Sequence, residues 1–262
     1  MDRNLYISSF RKDISPLWKC PTCDKGILRI EKDSFVFKET IESKRNQEDG
    51  SWFPQMIDYI YSCLLVCAND ACKDVVVSTG KGFVEEEYDY DHEGNPLHEY
   101  IDYFQPNYFC PSLKLFSVPN GTPEDVIEEV QQSFELFFCN PASSLNHIRI
   151  ALENLLTYLR VKRYKVERSK RKPMSLHERI NFLPDKFQEI KDHCLAIKWS
   201  GNAGSHSGEE ITKDDVMDVY EIMDEVLREI FKSKKKEIRS LVKQINKKKG
   251  PKSKKRSKRK KM

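Results

Sequence analysis

The segment Cys20-Pro21-Thr22-Cys23-Asp24-Lys25-Gly26 decides how the first half of this sequence folds. Two cysteines separated by two residues can hold one metal ion from a single tight turn, and Gly26 would supply the positive φ that such a turn often needs. A second pair, Cys67 and Cys72, follows the strand predicted over 59–66. The two pairs predict a zinc-ribbon-like β module with one structural zinc ion, because four thiolates leave no coordination position open for water. The predicted ligands are Cys20, Cys23, Cys67 and Cys72.

The remaining cysteines do not extend this pattern. The sequence contains eight cysteines, and only the five from Cys20 to Cys72 cluster. In a reducing cytosol such clustering favours metal binding over disulfide bonds. Cys63 competes with Cys67 or Cys72 as a ligand, but it lies in the apolar run 63–66, which is typical of a buried core thiol.

The composition is that of a globular protein with some disorder. The chain has 262 residues, 39% of them hydrophobic and 33% charged, which suits one large or two modest domains. No segment approaches the ~20 apolar residues that span a bilayer, and the N-terminus carries no apolar signal core. The sequence also contains no phosphate-binding loop, carboxylate-rich nuclease core or cofactor fingerprint. We therefore expect a cytoplasmic protein with no membrane partner.

Charge is divided unevenly along the chain. Residues 243–262 contain twelve lysines and arginines and no acid, which leaves 33 basic and 41 acidic side chains in residues 1–242. The net charge of +4 therefore combines an acidic body of −8 with a basic tail. A low-complexity Lys/Arg/Ser tail cannot bury enough apolar surface to fold alone, and its charge suits polyanions such as RNA or DNA.

The pattern changes from β to helical near Pro119. We expect an α+β chain in which a sheet-forming part precedes an all-helical part, because the two kinds of pattern do not alternate. The expected parts are a zinc-ribbon-like β module over 1–118, a helical bundle over 119–242 and a disordered basic tail over 243–262.

Local signals place elements within these parts. Capping boxes at residues 175–178 and 212–215 predict helix starts. The acidic and aromatic segment 83–105 is interpreted as a solvated loop over the sheet, in preference to a groove for a cation or a partner. The basic segment 162–174 is interpreted as a loop between helices.

The segment 196–208, Ala-Ile-Lys-Trp-Ser-Gly-Asn-Ala-Gly-Ser-His-Ser-Gly, carries the candidate binding or catalytic residues. If the helix persists through its glycines, Lys198, Asn202 and His206 lie on one face, because they are four residues apart. A cation, an amide and an imidazole that converge beside small residues suit an anionic ligand. The alternative is a helix–helix crossing at which the glycines permit close packing.

Arg149 and Glu153 form a second polar pair, four residues apart on a predicted helix. One interpretation is an exposed ion pair worth roughly 0.2–0.5 kcal/mol. The other is that Arg149 points into the bundle toward His206. Both residues therefore join Lys198 and Asn202 as candidate binding residues.

The order of these motifs resembles the family described as domain of unknown function 4145, over residues 18–232. The resemblance implies a prokaryotic restriction or anti-phage defence context, since members of that family occur beside or inside such proteins. The matching pieces are the Cys-Pro-x-Cys-x-x-Gly knuckle at 20–26, the second cysteine pair, Pro119, the Arg149-x-x-x-Glu153 helix, the Leu-x-x-Arg-Ile turn at 176–180 and Gly201-Asn202-x-x-x-His206.

The helical half also resembles the HEPN (higher eukaryotes and prokaryotes nucleotide-binding) superfamily, many of whose members are dimeric, metal-independent ribonucleases. Their Arg-Asn-x-x-x-His motif matches at Asn202 and His206, whereas Gly201 stands in the arginine position. In such nucleases the arginine neutralises phosphate and the histidine handles a proton. Lys198, one turn earlier, could supply the charge, though without the bidentate fork of arginine.

The sequence favours a zinc-binding, nucleic-acid-associated adaptor with a defence or restriction protein as partner and a homodimer as the expected assembly. Its basic tail would add affinity for RNA or DNA. The alternative is a HEPN-like endoribonuclease that uses Lys198, Asn202 and His206, with Arg149 in support. A third hypothesis is a dimerisation domain in which the glycine-containing segment serves only packing.

Overall fold

A computed structural model of the protein describes residues 2–48, 50–90, 96–206 and 210–250, without the side chains of residues 89, 90, 96, 203–206 and 232–237. Its strands are β1 Leu28–Ile30, β2 Val36–Glu39, β3 Asp58–Cys67, β4 Val75–Tyr90, β5 Pro96–Cys110, β6 Tyr164–Glu167 and β7 Lys170–Pro173. Its α-helices are α1 Asn4–Ile7, α2 Ile41–Asn46, α3 Glu124–Leu136, α4 Pro141–Tyr158, α5 Leu176–Asn181, α6 Lys191–His206 and α7 Lys213–Lys248. The predicted mixed α+β architecture, a sheet followed by helices, is confirmed.

The five N-terminal strands form one antiparallel sheet in the order β1-β3-β4-β5, and β2 also pairs with β3. Residues of β3 alternate between the two faces of the sheet, as expected when only one face is buried. The inner row, Tyr61, Cys63, Leu65 and Cys67, is at most 2% exposed. Cys67 therefore lies at the buried end of β3, where strand β1 places Leu28 opposite it.

Phe104 on β5 is the centre of an aromatic cluster on the inner face. It is fully buried, and its ring centroid lies 4.8 Å from that of Phe35, 5.2 Å from Phe37 and 5.4 Å from Tyr61. All three pairs meet edge to face, which is a favoured geometry for aromatic rings. Gly82 on β4 makes room for the cluster, because a Cβ there would lie 2.7 Å from Phe104 Cδ1.

A second aromatic series joins the sheet to the helices. The ring centroid of Trp18 lies 4.9 Å from that of Phe109 on β5, and Phe109 lies 4.8 Å from Phe138, just after helix α3. Trp18 is buried, and its indole N–H donates to the Leu5 carbonyl at 2.8 Å. The N-terminal segment, the sheet and the helices consequently share one hydrophobic core.

The segment 83–105 forms the outer parts of strands β4 and β5, so its interpretation as a solvated loop was wrong. Pairing continues from Phe83 opposite Tyr103 to Tyr90 opposite Pro96. The segment contains β-branched and aromatic residues such as Val84, Tyr103 and Phe104, which favour a strand despite the three consecutive acids 85–87. Residues 91–95, between the two strands, lie outside the described residues.

Two helices of the helical half, α5 and α7, begin where the sequence predicted. Ser175 and Glu178 form a capping box at the start of α5, and Thr212 and Asp215 form one at the start of α7. Each box satisfies backbone N–H groups that have no partner inside the helix. Between these starts, α6 packs against both α4 and α7, and α5 packs on α6.

Helix α7 is longer than its apolar pattern predicts. It ends at Lys248, and the following Lys249 has a left-handed φ of 47°. Residues 243–248, expected as part of a disordered tail, are therefore helical, whereas residues 251–262 lie outside the described residues. None of the helices in the described ranges combines the length and the apolar content needed to cross a membrane.

Three buried hydroxyl groups connect helices α3, α4 and α7. Tyr220 Oη lies 2.9 Å from Ser133 Oγ and 2.8 Å from Ser144 Oγ, and the two serine oxygens are 2.9 Å apart. All three residues are fully buried, and burial raises the pKa of Tyr220 well above its ordinary value. Since a buried hydroxyl without a partner is costly, this triad favours one relative position of the three helices.

Replacing Tyr220 with phenylalanine keeps the ring and removes its hydrogen bonds. We expect Tyr220→Phe to lower the free energy of unfolding by about 1–2 kcal/mol, measured by urea denaturation with circular dichroism. Tyr100→Phe, at a half-exposed tyrosine of β5, is the matched control and should change the value by less than about 0.5 kcal/mol. Equal stability of the two variants would contradict the role given to the triad.

Candidate metal centre and helical cation cluster

The two cysteine pairs meet at one end of the sheet. The Sγ atoms of Cys20, Cys23, Cys67 and Cys72 all lie within 4.8 Å of one another. Cys20 Sγ is 3.8 Å from Cys72 Sγ, and Cys23 Sγ is 3.7 Å from Cys67 Sγ. A disulfide would bring two sulfur atoms to about 2.05 Å, so these are four free thiols. A tetrahedral ion with Zn–S bonds of about 2.3 Å separates its sulfur ligands by about 3.8 Å, and this cluster therefore fits a metal ion.

Two turns of similar construction present these thiols. In the first turn, Asp24 follows Cys23 with a φ of 55°, and in the second, Lys73 follows Cys72 with a φ of 54°. A left-handed residue reverses the direction of the chain within a few atoms. Each pair can therefore direct both of its sulfur atoms at one point before the chain returns to the sheet.

Gly26 has a different role from the predicted one, because the left-handed residue of its turn is Asp24. A Cβ at Gly26 would lie 2.2 Å from Cys67 Sγ and 2.9 Å from Asn69 Cβ. The backbone N–H of Gly26 also donates to Cys23 Sγ at 3.3 Å. Glycine is needed here because the first turn lies directly against the second cysteine pair.

The thiols differ in their electrostatic surroundings. Backbone N–H groups of Gly26 and Lys25, with a smaller contribution from the Asn69 amide, lower the pKa of Cys23 to about 6. Burial raises the pKa of Cys67 to about 12, so an isolated thiolate is unfavourable there. A bound dication would reverse this preference, because a coordinating thiol loses its proton.

The competing ligand Cys63 does not belong to this cluster. It is 2% exposed on the inner row of β3, and burial raises the pKa of its thiol to about 12, as expected for a core thiol. Sequence reasoning missed Asn69, whose Nδ2 lies 3.6 Å from Cys23 Sγ. Its place between the two cysteines of the second pair was the available signal.

The candidate residues of the helical half lie where α4 packs on α6. Arg149 Nε is 3.8 Å from Glu153 Oε1, so the two residues form the expected i, i+4 ion pair. Gly201 packs against Arg149, because a Cβ there would lie 3.0 Å from Arg149 Cβ. Gly201 thus permits close helix packing, and the same packing brings Arg149 to α6. Asn202 is half-buried on that helix, and the side chain of His206 lies outside the described residues.

Lys198 is a buried cation on α6. It is 9% exposed, and its Nζ lies 2.9 Å from the ring centroid of the neighbouring Trp199. Burial lowers the pKa of Lys198, and the positive charge of Arg149 lowers it further. No carboxylate of the described residues forms an ion pair with it, which is unusual for a buried charge outside a functional site.

Arg179 on α5 is a second buried cation and was not among the predicted site residues. It is 4% exposed, and its Nη2 donates to Thr157 Oγ1 at 2.8 Å. Its Nε is buried and has no hydrogen-bond partner among the described residues. Burial lowers the pKa of Arg179, and the charge of Glu153 opposes that effect. The available signal was its place on one apolar stripe with Leu176 and Ile180, where a charge is unexpected.

Comparison with known families divides the chain in two. Residues 131–248, referred to below as the DUF4145 domain, match the family described as Domain of unknown function (DUF4145), as the helical motifs predicted. Residues 8–109 match the family described as Domain of unknown function (DUF8608). The cysteine cluster therefore lies outside the DUF4145 match, although the predicted resemblance included it. No curated protein and no solved structure matches the chain.

A side chain at Gly26 should disturb the cysteine cluster without removing a ligand. We expect Gly26→Ala to weaken zinc binding by about 10- to 100-fold, measured by competition with a chromophoric chelator. Cys72→Ser, which removes a ligand, provides the reference for weak zinc affinity in this assay. Gly50→Ala is the matched control, because a Cβ there has no neighbour within 4 Å. Zinc affinity of Gly26→Ala equal to that of Gly50→Ala would contradict the proposed packing of the two turns around the ion.

Proposed function

We propose that this protein is a zinc-binding adaptor whose DUF4145 domain joins a partner protein and nucleic acid in prokaryotic restriction or anti-phage defence. The observation that carries the proposal is the set of four cysteine sulfur atoms within 4.8 Å of one another. The defence context rests on the DUF4145 resemblance of the helical motifs. Homodimerisation belongs to the same proposal, as the assembly expected of a HEPN-like domain.

The cysteine cluster supports a structural role for the zinc ion. Four thiolates complete a tetrahedral shell and leave no position for water or substrate. The ion would connect two turns whose paired ligands Cys23 and Cys67 are 44 residues apart in the chain. Its chemistry is therefore that of a cross-link, which stabilises the end of the sheet and the surface presented there.

The C-terminal tail supports association with nucleic acid. Residues 250–262 carry eight lysines and arginines and no acid, next to a body with a net charge of −8 over residues 1–242. Each basic side chain that binds a phosphate releases a counterion, so binding through such a tail depends steeply on salt. This contribution to affinity is independent of the nucleotide sequence of the ligand, as expected for an accessory interaction.

Ending the chain at Lys249 should weaken binding to single-stranded RNA and flatten its salt dependence. The slope of log affinity against log salt should fall in magnitude by about 0.7 for each phosphate that the tail neutralises, measured by fluorescence anisotropy. A full chain in which residues 250–262 are shuffled keeps the charge and should bind as the natural chain does. An unchanged slope in the shortened chain would show that the tail takes no part in nucleic-acid binding.

A HEPN-like endoribonuclease is the second candidate, and the buried Lys198 beside Arg149 favours it. These cations could neutralise a phosphate in place of the motif arginine, whose position is occupied by Gly201. His206 would then handle the proton of the 2′-hydroxyl or of the leaving oxygen.

Incubation with labelled single-stranded RNA in EDTA separates the two candidates. As an adaptor, the natural chain should leave the RNA intact, and His206→Ala should do the same. Cleavage by the natural chain alone, with 2′,3′-cyclic phosphate ends, would replace the adaptor proposal with the nuclease. Cleavage by both proteins would identify a contaminant or a site without His206, and would sink the nuclease assignment.

A further inference from the structure

We infer that the DUF4145 domain binds single-stranded nucleic acid on a surface formed by the β6–β7 hairpin, helix α5 and Trp199 of helix α6. The inference rests on the nucleic-acid association proposed above and gives it a defined site separate from the C-terminal tail. Four features of this surface support it: its charge, its contact with helix α5, its exposed rings and its buried cations.

The β6–β7 hairpin concentrates positive charge on an acidic body. Residues 162–174, interpreted from sequence as a loop, hold seven basic residues and one acid, and every residue of both strands is exposed. The acid, Glu167, pairs with Lys172 at 2.8 Å. Arg163, Arg168 and Lys170 form no ion pair within the described part of the chain. Their charge is therefore available to a polyanion.

The hairpin contacts helix α5 of the helical domain. Lys165 forms an ion pair with Glu178, which belongs to the capping box of α5. The two turn residues, Arg168 and Ser169, have positive φ angles of 48° and 60°. Asn and Gly are the residues preferred in such a turn, so an arginine at the tip is costly for folding.

Exposed rings lie among these cations. Trp199 is 57% exposed, and its ring centroid is 6.0 Å from that of His177 on α5. On the hairpin, Tyr164 is 42% exposed, and Arg171 Cζ lies 3.9 Å from its ring centroid. Rings alternating with cations are typical of proteins that stack the bases and hold the backbone of a single strand.

Cations and one carboxylate connect the hairpin to helix α6. Arg163 lies close enough to Arg179 to lower its pKa, and Arg149 has the same effect on Lys198. Glu153 interacts with both Arg149 and Arg179, at 3.8 Å from Arg149 Nε. Four cations thus lie near one carboxylate. Arg179 and Lys198 are buried, so they contribute a positive potential to this surface and leave direct phosphate contacts to the exposed cations of the hairpin.

The rings distinguish a single strand from other polyanions. In a duplex the faces of the bases are covered by neighbouring bases, whereas in a single strand they are free to meet a side-chain ring. An acidic protein segment would engage the cations without requiring the exposed face of Trp199. The observations therefore favour an unpaired RNA or DNA strand.

The test measures binding of the full chain to labelled single-stranded RNA and DNA and to a duplex of the same sequence. Trp199→Ala should weaken single-strand binding by about 5- to 150-fold, the range for removal of one base–aromatic stack, and leave duplex binding within about twofold. Trp199→Phe should restore most of the affinity. Tyr100→Ala, at a half-exposed ring of β5, is the matched control and should bind as the natural chain does.

Ending each of these chains at Lys249 separates this surface from the tail. Weaker single-strand binding by Trp199→Ala, with or without the tail, would support the surface even if the tail contributes nothing. Unchanged binding by Trp199→Ala, together with weaker binding on shortening, would assign binding to the tail and overturn the inference. Equal weakening for duplex and single strand, or competition by polyglutamate as strong as by RNA, would also overturn it, because the surface would then recognise charge alone.

Discussion

The close approach of four cysteine sulfur atoms is the constraint on which the N-terminal half depends. Thiolates within 4.8 Å of one another repel, so the arrangement is stable only as protonated thiols or around a cation. The two turns can meet because β1 pairs with β3 and places Leu28 opposite Cys67. A shift of one residue in that pairing would turn Cys67 to the outer face of the sheet. Sheet register and cluster geometry therefore specify each other.

The same constraint extends to the helices through the residues that precede the first cysteine. The Leu28 N–H donates to the Trp18 carbonyl at 2.8 Å, which fixes Trp18 beside the first turn. The ring of Trp18 packs on Phe109, and Phe109 packs on Phe138. The two halves of the chain match different families, yet aromatic packing joins them. A change in the cysteine cluster would therefore also disturb the contacts between the sheet and the helices.

Short-range signals in the sequence were sufficient where covalent spacing or capping decides the outcome. The spacing of the cysteines identified the four thiols that meet, and Ser175 and Thr212 identified two helix starts. The β6–β7 hairpin was missed because its residues are polar, and part of its support, the pair of Lys165 with Glu178, comes from another element. Arg179 lies on one apolar stripe with Leu176 and Ile180, which indicates burial, but its partner Thr157 comes from another helix and has no signal in the local sequence.

Under the proposed nucleic-acid binding, the distribution of charge and rings gives the two basic parts of the chain different tasks. Residues 243–262 contain no aromatic residue, so the tail can raise affinity for any polyanion but has no ring on which to stack a base. The proposed surface has fewer cations, yet it has Trp199 and Tyr164 exposed beside them. Because residues 1–242 carry a net charge of −8, a polyanion is repelled from most of the body. Under the proposed binding, attraction would be strongest at these two basic parts, and of the two the surface has the rings with which to discriminate a single strand from a duplex.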